Sequence, residues 1–193
     1  MISREEAFKL VEKYVTTPWL KLHMRESEVI MRALAKKFDE DEEVWGISGL
    51  IHDLDYDYVG KDPKRHVVEF DKILEMESLV VGEDIPEEMY HAIKSHYEEH
   101  PDIQQKRESK LDYALSASET ISGFLVACAL VQPDKKISSV DVESVKKKFK
   151  KKDFAKAVRR ELIYDIEKIG MSLDEFIEIS LKSLREIDTE IGL

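Results

Sequence analysis

Apolar residues in this chain recur every three or four positions behind helix-start signals. Nowhere do they alternate over a sustained run with β-branched enrichment. That period gathers side chains on one face of a helix and scatters them on a strand. Ser3-x-x-Glu6 forms a capping box ahead of Ala7, Phe8, Leu10, Val11, Tyr14 and Val15. Thr17 before Pro18 starts a second helix, with Leu20, His23, Ser27, Ile30, Met31, Leu34 and Phe38 near one stripe. The acidic run 39–43 opens a third, which carries Trp45, Ile47, Leu50 and Ile51 and ends on His52-Asp53. Further helices are expected from His66 through Leu74, from Pro86 to His96, over 111–131, over about 140–149 and 153–162, and after Ser172. Residues 54–64 and 97–109 read as loops. The fold class is all-α, a helical bundle.

With 193 residues, 42% hydrophobic and 37% charged, and only 7 Gly and 5 Pro, the chain reads as one folded domain without internal repeats. Its single cysteine, Cys128, lies in an apolar run and reads as a small buried hydrophobe. Met1 to Glu6 does not resemble a signal peptide, and the apolar run 124–131 falls short of the ~20 residues that span a bilayer. A cytoplasmic protein with no membrane association is expected. The net charge of −11 disfavours nucleic-acid binding by the whole surface. Residues 134–161 hold 11 Lys or Arg against 5 Asp or Glu, so they carry +6 while the rest carries −17. The lysine run 146–152 reads first as a solvated helix face with Phe149 docked on the core. A sharper reading makes it a wall that draws an anionic substrate, and RNA binding ranks third.

His52-Asp53 places two good ligands for a divalent ion side by side. His23 lies on the preceding helix, which would pack antiparallel, and His66 and His96 follow downstream. Glu119 sits inside the apolar helix 111–131, where an unpaired carboxylate is costly, so a metal or basic partner is expected. Asp55 and Asp57 read equally as orienting groups or solvated loop acids. His91 and His100 read as surface residues. Trp19, Trp45 and Tyr90 read as packing aromatics, while Tyr56 and Tyr58 are better placed for a substrate ring.

The order His23, His52-Asp53, His66, His96 and a downstream acid resembles the HD-domain superfamily of metal-dependent phosphohydrolases. The resemblance covers about residues 20–133, with 134–193 as a basic helical extension packed on it. It implies that His23, His52 and Asp53 bind a divalent ion, with His52 and Asp53 at the catalytic centre. His66 and His96 look like the two extra histidines of members holding a second ion, with Tyr97 beside them. The segment Ala117-Ser118-Glu119-Thr120 offers Glu119 where the family pattern carries aspartate. The implied chemistry is hydrolysis of a small phosphorylated metabolite or nucleotide by water activated at one or two ions. Lys135 and Lys136 would neutralise its phosphate, and Tyr56 and Tyr97 would contact it. Mn, Fe, Ni, Co, Zn and Mg are not distinguished by these ligands. A homo-oligomer is compatible with the sequence. The rival reading is a catalytically silent module that binds a nucleotide or partner protein, motivated by Glu119; an iron-dependent oxygenase is the remaining alternative.

Overall fold

The computed structural model describes residues 1–193 and is all-α, its helices joined by turns and loops without a strand; one isolated bridge joins Val81 and Ile85. In chain order the helices are α1 (Arg4–Tyr14), α2 (Pro18–Phe38), α3 (Glu42–Ile51), α4 (Phe70–Met76) and α5 (Glu87–Ser95). Then follow α6 (Lys110–Leu130), α7 (Val142–Phe149), α8 (Arg160–Ile163), α9 (Leu173–Glu186) and α10 (Asp188–Ile191). Short 3₁₀ segments cover Ile137–Ser139 and Tyr164–Ile169.

The helix starts follow local chemistry. Ser3 and Glu6 complete their capping box, Ser109 and Asp112 form another, and Asp41 and Ser172 accept from first-turn amides. Thr17 precedes α2 but does not cap it with its side chain. Instead its hydroxyl donates to Asp57 at 2.8 Å, which ties the loop after Asp53 to the start of α2.

The strongest packing joins α2 to α3 as an antiparallel hairpin. A Cβ on Gly49 would stand 2.8 Å from the Ser27 carbonyl, so only glycine permits this approach. Farther along, Arg32 lies across Gly46 and donates to Glu43 at 2.6 Å. α6 runs through the centre with Leu115, Ile121, Phe124, Leu125 and Cys128 fully buried. It is long and apolar enough to cross a membrane, but two-thirds of its most apolar stretch is covered by neighbouring helices. The segment after Pro133 packs on α2 and α6, and Phe149 docks edge-on against Phe124 as expected.

Two expected helices form differently. His66 does not begin a helix; turns continue to Glu69, and Val67 adopts a left-handed φ of +69° that a β-branched residue rarely tolerates. Buried Lys94 donates to the Val67 carbonyl at 2.9 Å and holds that turn. Residues 153–159 are also turns. The Arg160 guanidinium donates to the carbonyls of Phe149, Lys151 and Phe154, satisfying by side chain what a helix would satisfy by backbone.

α2 buries two acids with opposite fates. Glu28, fully buried, accepts from Arg4 at 2.6 Å, Arg25 at 3.0 Å and Arg32 at 3.0 Å. Those bonds join α1 to the hairpin. Glu26, 5% exposed, faces no cation, and burial lifts its pKa to about 8.

Two outcomes follow from this packing. The neutral form of Glu26 favours the fold below the ordinary carboxylate pKa, and that contribution is lost as pH rises through about 8. Glu26→Gln should therefore match the parent near pH 4.5 and exceed it by about 5 kcal/mol at pH 9, the rise from 4.5 to about 8 counting about 1.4 kcal/mol per pKa unit. Urea unfolding of the metal-free chain at both pH values measures this, and equal stabilities at pH 9 would refute it. Gly49→Ala should cost about 1–3 kcal/mol by overpacking at the helix crossing, read as a lower urea midpoint with unchanged slope.

Candidate metal centre

Asp53 follows the last turn of α3, and its carboxylate faces four imidazoles from separate parts of the chain. Oδ2 lies 3.8 Å from His23 Nε2 and 3.5 Å from His52 Nε2. Oδ1 lies 3.2 Å from His66 Nε2 and 3.5 Å from His96 Nε2. The ligand atoms therefore fall into two close-set triads, His23–His52–Asp53 and Asp53–His66–His96.

Each ring is aimed from behind. Nδ1–H of His52 donates to the Gly49 carbonyl at 2.9 Å, and that of His96 to the Ile93 carbonyl at 2.6 Å. His66 donates to fully buried Asp55 at 2.8 Å. His23 donates to Ser122 Oγ at 3.0 Å, because the Ser122 hydroxyl proton is already given to the Glu119 carbonyl. All four Nε2 atoms are thereby left toward Asp53, the arrangement by which outer partners fix metal-binding histidines. Asp55 is thus an orienting group, while Asp57 accepts from the amides of Thr16 and Thr17.

The donor set fits divalent ions. His52 Nε2 is buried without a hydrogen-bond partner, which is expensive for a ring nitrogen unless something else engages it. Two atoms bound to one ion at about 2.0–2.2 Å stand roughly 3.0–3.5 Å apart. The observed separations of 3.2 to 3.8 Å lie close to that range. Burial holds the His52 pKa down at about 3 against the pull of Asp53, so the ring is neutral as a ligand must be. Burial would raise Asp53, but His52, His66 and His96 outweigh it and keep the carboxylate ionised. His66 is opposed by burial, yet Asp53 and Asp55 lift it to about 10, so an ion bound there replaces a proton.

A cavity of about 670 Å³ opens over the triads. Tyr56, Tyr97 and Glu119 line it. Glu119 belongs to neither triad; it accepts from Thr120 at 2.6 Å, and burial raises its pKa against the nearby His23 and His96. Lys135 and Lys136 are exposed in the turn after α6 and do not line the cavity; nor do the lysines of 146–152. Its one lysine or arginine is Arg159, bonded to Glu99 at 2.8 Å and Glu161 at 3.0 Å.

Several residues differ from their sequence reading. Trp19, expected in packing, is 56% exposed at the cavity wall with Lys61 over its ring. His100, expected at the surface, is buried and engages the Lys64 carbonyl at 3.0 Å. His91 is half-buried and donates to Asp112 at 3.0 Å. Glu26 was not singled out, although an acid three residues after His23 shares its helical face. Arg159 carried no sequence signal beyond its basic surroundings.

Searches of curated proteins and of solved structures each returned no match. A family model described as HD domain matches residues 22–120. That stretch, just over half of the chain, contains all six positions proposed as ligands, from His23 to Glu119. The chain belongs to the HD-domain family.

Proposed function

We propose that this protein is a metal-dependent phosphohydrolase acting on a small phosphorylated molecule in the cytoplasm. The observation that carries this reading is the Asp53 carboxylate, with one oxygen toward His23 and His52 and the other toward His66 and His96. Such a carboxylate would serve both groups of histidines if each held a divalent ion. Bound there, divalent ions would acidify water and offset the charge of a phosphoryl group.

The chain's own groups have distinct tasks in this reading. His23 and His52 would hold one ion and His66 and His96 the other, while Asp55 keeps the His66 ring in place. Arg159, the cationic side chain of the wall, would meet the phosphate. Glu26, whose carboxyl burial holds above the usual carboxylate range, would be the cavity's candidate proton donor to a departing alkoxide. Glu119 lines the cavity outside both triads, where its carboxyl would hydrogen-bond to water brought by a bound ion. The placement of Glu119 outside both triads also supports the second reading, a module that binds metal or nucleotide without turnover.

Metal analysis and a phosphoester panel with Mn, Fe, Ni, Co, Zn and Mg separate these. Two ions per chain are expected, one after His52→Ala or His66→Ala, and none after Asp53→Ala. Hydrolysis should vanish with His52→Ala and Asp53→Ala; activity surviving both sinks the assignment. Stoichiometric metal without turnover of any phosphoester supports the silent module. Asp55→Asn should retain the fold but lower metal affinity about 10–100-fold, as loss of an outer-shell partner typically does; an unchanged affinity would remove Asp55 from this role.

A further inference from the structure

The wall of the cavity beyond the metal centre has a character that the ligands do not dictate. Leu22, Val126, Leu130 and Leu162 line it, together with Trp19. The apolar surface continues to the mouth, where Leu130 is 51% and Trp19 56% exposed. Exposed apolar side chains at the rim of a concave, partly polar site mark a surface meant to be covered.

Beyond the triads, the polar side chains of the wall are two acids, two phenols (Tyr56 and Tyr97, beside the ligands) and one arginine. Glu26 and Glu119 face in, and Arg159 is already shared with Glu99 and Glu161. A triphosphate would bring its charge to a wall with one arginine, where polyphosphate sites use several cationic clamps. Side-chain amides are the groups that offer a nucleobase edge a donor and an acceptor side by side. The chain contains no asparagine, and none of its glutamines lines the cavity. The volume of about 670 Å³ nevertheless far exceeds what phosphate alone would fill.

We infer that the substrate is a phosphate monoester of an apolar alcohol, whose body lies along Leu22, Val126, Leu130 and Trp19. This rests on the phosphohydrolase reading for the fate of the ester and on the cavity wall for the identity of its body. In the hydrolysis, water oxygen bonds to phosphorus and the bond from phosphorus to the alcohol oxygen breaks. That oxygen leaves with the electron pair and takes a proton, giving the free alcohol and inorganic phosphate.

Non-hydrolysable alkylphosphonates separate binding from turnover. Calorimetry on the metal-loaded full chain should show affinity rising from methyl- through butyl- to hexylphosphonate, by about threefold to fourfold per methylene while the wall is being covered. Trp19 fluorescence should shift blue with hexylphosphonate and stay fixed with methylphosphonate, and Trp19→Ala should abolish the shift. Leu130→Ser, a change at a half-exposed position, should narrow the hexyl-to-methyl ratio at least threefold. Equal affinity for methyl and hexyl compounds, or tighter binding of a nucleoside mono- or triphosphate than of hexylphosphonate, overturns the inference. Matching alkyl phosphates are then assayed for turnover. Chain-length-dependent binding without hydrolysis of any phosphoester would sink the enzymatic reading and keep the apolar ligand class. Hydrolysis of nucleotides without chain-length dependence would do the reverse.

Discussion

At Gly49 the backbones of α2 and α3 approach until no side chain fits between them. That approach puts His23, early in α2, opposite His52, at the end of α3, and so sets the spacing of the first ligand pair. It also places the Gly49 carbonyl where it receives the His52 ring. One glycine thus fixes both the distance between ligands and the direction in which one of them points. The helices α5, α6 and α9 pack against this hairpin: α6 delivers Ser122 to His23, and α5 delivers His96 to the far oxygen of Asp53.

The hairpin survives its polar burden by unequal treatment of charge. Glu28 is buried with guanidinium groups on several sides, which makes it a cross-link between α1 and the hairpin rather than a liability. Glu26, facing the cavity, has no such compensation and remains a neutral acid. The difference is one of direction around a single helix. The side of α2 that meets other helices is neutralised, and the side that meets the cavity is left with titratable groups.

The helices were legible because their starts are local. Ser3, Asp41 and Ser172 each cap amides within a few residues, so sequence and structure agree on where α1, α3 and α9 begin. The four histidines and Asp53 were legible as a set because imidazole and carboxylate in that order resemble a known family. Their partners were less so. Ser122 meets His23 across 99 residues of chain, and nothing local distinguishes it from other serines of α6. Residues 153–159 read as helix because the periodic pattern does not reveal that Arg160 will take up the carbonyls. Lys135 and Lys136 drew attention by charge alone, whereas Arg159 reaches the cavity through the turns that replaced that helix.

Arg107 links these two halves of the molecule. Its buried guanidinium donates to the His96 carbonyl at 3.1 Å and pairs with Asp165 at 3.2 Å, in the 3₁₀ segment just after the residues that supply Arg159 and Leu162 to the cavity. The segment that shapes the cavity is therefore tethered to the turn that ends the helix of a ligand. Sequence drift that reshaped the wall to admit a different molecule would have to keep Asp165 in place or release the His96 carbonyl. The shape of the cavity wall and the position of His96, although carried by different stretches of the chain, are thus coupled through one side chain.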